Sequence, residues 1–76
     1  MFTPQSLRAA RGLLNWGVRD LGHAAGVAWT TVSQFENGRR LRKSTADKLA
    51  RALRAQGVEL ITSDDMTGAV LRRPKA

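Results

Sequence analysis

Two glycines four residues apart, Gly22 and Gly26, constrain the fold of this chain more strongly than any other feature. Apolar residues recur at helical spacing up to Ala25, and a second helical pattern begins only a few residues after Gly26. Two short helices must therefore be joined by very little chain. Gly26 can adopt the left-handed conformation with which many helices end, and Gly22 leaves space where the two helices cross closely. The apolar residues of both segments are then expected to share one core: Leu21, Ala25, Val27, Val32 and Phe35.

The spacing of apolar and helix-ending residues predicts three helices before residue 38. Thr3 and Pro4 are typical of a helix start, and residues 15–17 interrupt that first helix. Residues 37–38, Asn-Gly, end the third helix because both residue types tolerate a positive φ. The three predicted helices cover residues 4–14, about 18–25 and about 29–36.

The rest of the chain contains one more helix and then changes period. Ser44 is expected to cap the fourth helix together with Asp47, and Gly57 ends it. Residues 58–62 and 69–73 are rich in apolar and β-branched side chains and flank a turn-like segment, which predicts a short hairpin. The predicted fold is mainly α, with four helices followed by a C-terminal β-hairpin. We divide the chain into a helical domain over residues 1–57 and the hairpin with a frayed tail over residues 58–76.

The composition argues against several classes of function. The chain has no cysteine and a single histidine, His23, so no disulfide, metal site or cofactor is expected. It shows no carboxylate pair, glycine-rich phosphate loop or nucleophile with a base, which argues against an enzyme. No apolar run approaches the ~20 residues of a membrane span, and Arg8 and Arg11 interrupt the segment where a signal peptide would lie. We expect a cytoplasmic protein that does not enter a membrane.

The charge of the chain indicates an anionic partner. Its 13 lysines and arginines exceed its 6 acidic residues and give a net charge of +7, which is large for 76 residues. Seven of these positive residues fall into two clusters: Arg39, Arg40, Arg42 and Lys43, and then Arg72, Arg73 and Lys75. A solvated basic surface that only improves solubility is the alternative. The position of the first cluster, directly after a helix that can protrude, favours contact with DNA phosphates.

Residues 18–37 resemble the Cro- and repressor-type helix-turn-helix of the XRE family of bacterial and phage regulators. Residues 20–27 are similar to that family's helix-turn segment, and residues 35–38, Phe-Glu-Asn-Gly, resemble the end of its recognition helix. The resemblance extends from about Pro4 to Gly57. It implies a lambda-repressor-like domain that binds double-stranded DNA and regulates transcription. A repressor or autoregulator that binds an inverted-repeat operator as a homodimer, at the bacterial nucleoid, would fit it.

The resemblance also implies roles for individual residues. The residues at the family's base-contacting positions are Trp29, Thr30, Ser33 and Gln34. Gln34 suits such a position because its amide can form two hydrogen bonds to adenine. The residues expected at DNA phosphates are Thr31, Asn37, Arg39, Arg40, Arg42 and Lys43. Arg11 and Glu36 correspond to a buried ion pair that links the first helix to the end of the third.

Two positions depart from the family's pattern. Val18 stands where the family usually carries a Gln that reaches a phosphate, so this contact is absent or left to backbone groups. Ala28 stands where a Ser or Thr usually caps the recognition helix. The missing cap costs ~0.5–2 kcal/mol of helix stability.

The hairpin is predicted to hold a dimer together. An isolated two-stranded hairpin is at best marginally stable in water, and its edges invite pairing. The apolar residues expected at the interface are Val58, Leu60, Ile61, Val70 and Leu71. A hairpin folded back onto its own helices is the alternative for this segment. For the whole chain, the alternative is a protein-interaction module, such as an antitoxin or anti-activator, whose main partner is a protein.

Overall fold

The computed structural model describes residues 2–73, and the predicted tail at residues 74–76 lies outside them. Four helices precede a two-stranded antiparallel sheet, as the sequence predicts. No helix within residues 2–73 is both long and apolar enough to cross a membrane. The elements are α1 Pro4–Leu14, α2 Val18–Ala25, α3 Trp29–Glu36, α4 Lys43–Ala55, β1 Val58–Thr62 and β2 Thr67–Leu71.

Local hydrogen bonds set the ends of α1 and the start of α2. The Thr3 hydroxyl accepts a hydrogen bond from the Ser6 backbone N–H over 3.1 Å. The Ser6 hydroxyl accepts one from the Thr3 backbone N–H over 3.0 Å. This reciprocal cap satisfies two N–H groups that have no partner inside the helix. Asn15 ends α1 in the left-handed conformation, with φ at 57°. The Asp20 carboxylate then accepts from the Gly17 N–H over 2.8 Å and fixes the start of α2.

The start of α4 differs from the prediction. Ser44 is not the cap, because the helix already begins at Lys43 and its N-cap, Arg42, forms no side-chain capping bond. Leu41 is half-buried against the core, and Ala46 is buried. These two residues occupy the N′ and N4 positions at which apolar side chains set the entry of the chain into a helix. Apolar packing, rather than a hydroxyl cap, accounts for the start of this helix.

The core lies where the helices and the hairpin meet. Leu7 of α1 and Leu21 of α2 are fully buried, and each such side chain contributes ~1.5–3 kcal/mol. The rings of Phe2 and Phe35 meet edge to face, with centroids 5.5 Å apart, so the residue before the α1 cap is held against α3. The buried apolar cluster comprises Leu7, Ala10, Leu21, Val32, Phe35, Leu49, Leu53 and Val58.

The hairpin folds back onto the helices of its own chain. Both strands pack against α1, and β1 also packs against α4. Val58 is only 2 % exposed and belongs to the core. It therefore has almost no surface left for a partner, and it drops out of the predicted interface. The boundary drawn after residue 57 separates elements that share this core.

The second strand begins earlier than predicted. Pairing runs from Val58 opposite Leu71 to Thr62 opposite Thr67, so residues 67 and 68 belong to β2. The turn is correspondingly short, and the Ser63 N–H donates to the Met66 carbonyl across it over 2.8 Å. Residues 72 and 73 lie beyond the strand. The predicted start at residue 69 was wrong because residues 67 and 68 extend the pairing opposite Thr62 and Ile61.

Candidate nucleic-acid interface

The turn between α2 and α3 depends on two glycines. Gly26 has a φ of 69°, which a residue with a side chain rarely adopts. A Cβ at Gly22 would lie 2.6 Å from the Val27 carbonyl oxygen and 3.1 Å from the Trp29 Cα. The Val27 N–H donates to the Gly22 carbonyl over 2.9 Å across the same contact. The two backbones are therefore in direct contact, and this contact fixes the position of α3.

The four residues predicted to contact bases lie on one side of α3. At 3.6 residues per turn, residues 29, 30, 33 and 34 fall within an arc of about 140°. Trp29, Thr30 and Gln34 are exposed, and Ser33 is half-buried. The opposite side of the helix is buried through Val32 and Phe35. Thr31 is half-buried on the flank, outside the exposed arc.

The carboxyl end of α3 closes in a Schellman motif. The Gly38 N–H donates to the Phe35 carbonyl and the Arg39 N–H to the Gln34 carbonyl, both over 2.9 Å. Only Gly38 is left-handed, with φ at 103°, whereas Asn37 has a φ of −99°. The helix ends at this pair, as the sequence predicts, and the motif needs only one left-handed residue. The Asn37 side-chain amide instead donates to the Ser33 carbonyl over 2.9 Å.

The basic cluster lies immediately beyond this motif. Its four cationic side chains are exposed, and none forms an ion pair with a carboxylate within residues 2–73. Arg42 and Lys43 stand at the amino end of α4, and the first turn of that helix has no acidic residue. Positive charge at the amino end opposes the helix dipole and costs ~0.3–1 kcal/mol. An anion that binds beside these residues would relieve this repulsion. The cluster consists of Arg39, Arg40, Arg42 and Lys43.

A buried carboxylate connects α1 to the end of α3. Glu36 is 7 % exposed and accepts from Arg11 twice, from Nε over 2.7 Å and from Nη2 over 2.6 Å. The hydrogen bond to Glu36 is the main reason that the pKa of Arg11 is raised above its ordinary value, and burial acts in the opposite direction. Arg11 also donates to the Trp16 carbonyl over 2.9 Å.

A third member of this group, Arg8, was not predicted from the sequence. Arg8 donates to the Glu36 backbone carbonyl over 2.6 Å, and its Nε lies 3.6 Å from the Glu36 carboxylate. The spacing of Arg8 and Arg11, three residues apart on α1, is the signal that both could face one carboxylate. Two arginines therefore stabilise the end of the helix that carries the candidate base contacts.

The profile of the helix-turn-helix family matches residues 7–60, which is 54 of the 76 residues. The matched region includes the crossing of α2 and α3, the arc of α3 formed by residues 29, 30, 33 and 34, and the basic cluster. The chain belongs to the XRE-type helix-turn-helix family. This family consists of DNA-binding transcription regulators. A search of curated proteins finds no match to the chain.

The two departures from the XRE pattern have structural counterparts. Val18 is half-buried against the core, so its side chain is not a substitute for a phosphate-binding Gln. Ala28 is the N-cap of α3 and provides no side-chain hydrogen bond. Arg19, for which the sequence predicted no role, has its guanidinium carbon 4.4 Å from the centre of the Trp29 ring.

No group of three or more His, Cys, Asp or Glu residues within residues 2–73 is arranged to hold a metal ion. His23 is exposed on α2 and lies outside the arc of candidate base contacts. The described surface therefore offers hydrogen-bonding groups and positive charge. Such a surface suits recognition of an anionic polymer.

Proposed function

We propose that the chain binds a specific double-stranded operator as a homodimer and represses transcription there, in the manner of a repressor or autoregulator. The observation that carries this proposal is the exposed side of α3, followed directly by four exposed cations that have no carboxylate partner within residues 2–73. A bound dimer excludes other proteins from the DNA that it covers, which is sufficient for repression. Since its ligand is genomic or phage DNA, we place it in the cytoplasm at the nucleoid.

Within this proposal, α3 enters the major groove and contacts base edges. Gln34 is exposed, and its amide suits adenine, while the hydroxyl and methyl of Thr30 suit an acceptor or a thymine methyl. Ser33 lies between them on the same arc and can add a further hydrogen bond. The crossing of α2 and α3 at Gly22 keeps this arc at a constant angle to the rest of the domain.

The basic cluster would set the position of the protein on the DNA. Phosphate contacts fix register and affinity but carry no sequence information. The two kinds of contact can therefore be separated by mutation. Gln34→Ala should cost ~1–3 kcal/mol at one base pair per half-site and relax the preference there. Arg39→Ala should instead weaken binding to all sequences alike and reduce the salt dependence of binding.

The decisive measurement is selection of bound duplexes from a random pool, followed by footprinting of the recovered sequence. We expect an inverted repeat whose half-site centres lie about 34–36 Å apart on one face of the DNA. Repeating the selection with Gln34→Ala should remove the preference at one position of each half-site. A pool without enrichment at ~150 mM salt would contradict specific DNA recognition.

The dimer would form through the outer face of the hairpin. Leu60 and Ala69 pack against the core, whereas Val70 is 43 % exposed and Ile61, two residues away diagonally across the ladder, is half-buried. Leu71 is paired with the buried Val58 and so belongs to the inner face, although it is 37 % exposed at the open end of the hairpin. Two copies that cover Ile61 and Val70 would bury apolar surface and bring two α3 helices together on one DNA.

Val70→Lys tests this interface by placing a charge in it. We expect a monomeric mass in analytical ultracentrifugation and operator affinity lower by ~10²-fold or more, because the second half-site is lost. Met66→Lys is the matched control, since Met66 is 61 % exposed in the turn outside the proposed interface. A dimeric mass for Val70→Lys would exclude this face from the interface.

The same apolar face supports a second candidate function, in which a different protein binds the hairpin. This protein-interaction module would show a monomeric wild-type chain and only non-specific DNA binding. An antitoxin or anti-activator would behave in this way. The selection experiment and the measured mass therefore discriminate between the two functions.

A further inference from the structure

Arg19 and Trp29 form a stacked pair at the open end of the helix-turn-helix. Arg19 is the second residue of α2, and Trp29 is the first residue of α3. The guanidinium carbon lies 4.4 Å from the centre of the indole ring, which is within the range of a cation–π interaction. Both residues are exposed, and Arg19 forms no ion pair with a carboxylate within residues 2–73.

The hydrogen-bonding capacity of Arg19 is free, since the arginine side-chain hydrogen bonds within residues 2–73 are those of Arg8, Arg11 and Arg72. A guanidinium carries its N–H donors around the edge of its plane, so contact with a ring through its face does not use them. The neighbouring carboxylate of Asp20 is already bound to the Gly17 N–H. Arg19 thus presents directed donors and a full positive charge without a carboxylate to neutralise it.

The ring also restricts a side chain that would otherwise be mobile. Arginine has large rotamer entropy, much of which is lost when the guanidinium is fixed by a ligand. A side chain that is already stacked has less of this entropy to lose on binding. Exposed cation–π contacts are weak, so the pair adds little to the stability of the fold.

The position of the pair indicates which part of DNA it meets. In a helix-turn-helix the second helix lies in the major groove, and the first helix crosses the sugar-phosphate backbone. Arg19 lies in α2, the first helix of the motif, and Trp29 begins α3, the second helix of the motif. The cation is therefore expected at the wall of the groove, next to the base pairs that α3 contacts.

We propose that Arg19 binds a DNA backbone phosphate and that Trp29 is its positioning residue, acting as a platform rather than as a base contact. This inference rests on the proposed function, since it assigns two residues within the same DNA interface. It replaces the expected role of Trp29 in base recognition. It also provides a phosphate contact in the first turn of α2, where the Val18 side chain provides none.

A double-mutant cycle on the selected operator tests the pair. Arg19→Ala should weaken operator and random duplexes by the same factor, and should reduce the slope of log K against log salt by about 0.9 per contact. Trp29→Leu should weaken binding as well, and Arg19→Ala should add little in that background. In a Trp29→Phe background, which keeps an aromatic face, Arg19→Ala should still cause most of its usual loss of affinity.

The control cycle pairs Trp29→Leu with Arg54→Ala. Arg54 is an exposed arginine that lines the groove between α4 and β1. The fold-changes in DNA affinity caused by Arg54→Ala and Trp29→Leu should therefore multiply, as they do for independent residues. Thermal unfolding and ultracentrifugation of each variant verify that folding and mass are unchanged. Independent losses for Arg19 and Trp29 would overturn the proposal. A changed base preference in Arg19→Ala would also overturn it, because Arg19 would then contact a base.

A measurement without DNA separates this inference from the proposed function. In a Trp16→Phe background, all tryptophan fluorescence comes from Trp29. Arg19→Ala should increase the quenching of that fluorescence by acrylamide, because the guanidinium no longer covers one face of the ring. Unchanged quenching would overturn the stacked pair, whereas failure of every variant to bind any duplex would contradict the DNA function.

Discussion

The two ends of α3 differ in how completely they are tied to the rest of the protein. The carboxyl end is held by the Schellman motif at Gly38, the Asn37 amide and the two arginines that meet Glu36. The amino end has Ala28 as its cap, without a side-chain hydrogen bond, beside the exposed Trp29 ring. The carboxyl end is held by side-chain hydrogen bonds, whereas the amino end is held by backbone contact at Gly22 and has no side-chain cap.

This difference has a physical rationale in a DNA-binding helix. An end that is anchored by buried contacts keeps the angle of the helix constant. N–H groups and cations without protein partners at the other end remain available to an anionic ligand. The protein thus gives up a side-chain cap at the amino end of α3, beside the proposed phosphate contact of Arg19, and stabilises the carboxyl end with buried contacts.

Glu36→Ala should have the largest effect on stability, because it removes the anchor of the carboxyl end. Two arginines would lose their shared carboxylate, and breaking such a buried pair costs ~3–5 kcal/mol. Urea unfolding followed by circular dichroism measures the loss. Glu59→Ala is the control, since the Glu59–Arg72 pair is exposed and its removal should cost less than ~1 kcal/mol. Equal losses in the two variants would mean that Glu36 anchors nothing.

Gly22→Ala should have the next largest effect, because it forces apart the backbones that position the amino end of α3. The new methyl group would meet the Val27 carbonyl oxygen, and such overpacking costs ~1–3 kcal/mol. Gly12→Ala is the matched control in α1, where nothing lies within 4 Å of an added Cβ. That variant should gain up to ~1 kcal/mol from helix propensity. A stable Gly22→Ala protein with unchanged operator affinity would contradict the close crossing.

Ala28→Ser should have the smallest effect, and it sharpens the comparison by adding a cap to the amino end of α3. The N-cap backbone, with φ at −58° and ψ at 133°, suits a hydroxyl cap, so we expect a gain of ~0.5–2 kcal/mol. Ala24→Ser, at an exposed position inside α2, should instead lose a few tenths of a kcal/mol. A lower unfolding temperature for Ala28→Ser would contradict the view that the amino end of α3 lacks a stabilising cap.

Residue patterns predicted the four helices well because their signals are local. Thr3 with Pro4 starts α1, and Gly26 ends α2, as the sequence indicates. The start of α4 was predicted too late in the chain. Ser44 offers a hydroxyl, but the helix begins at Lys43, and Leu41 and Ala46 occupy the apolar capping positions. At this helix start the buried positions, rather than the hydroxyl, agree with where the helix begins.

The sequence by itself determined the helix-turn-helix, because glycines and apolar spacing act within a few residues of one another. It also located the exposed side of α3 and the basic cluster, which follow from helical periodicity and from charge. Only the tertiary structure decided that Val58 joins the core while Val70 stays exposed, because both residues fit a strand and packing selects the face. It also decided that Arg8 joins Arg11 at Glu36 and that Arg19 stacks on Trp29. Those contacts depend on the angles at which separate helices cross, and no local pattern encodes such an angle.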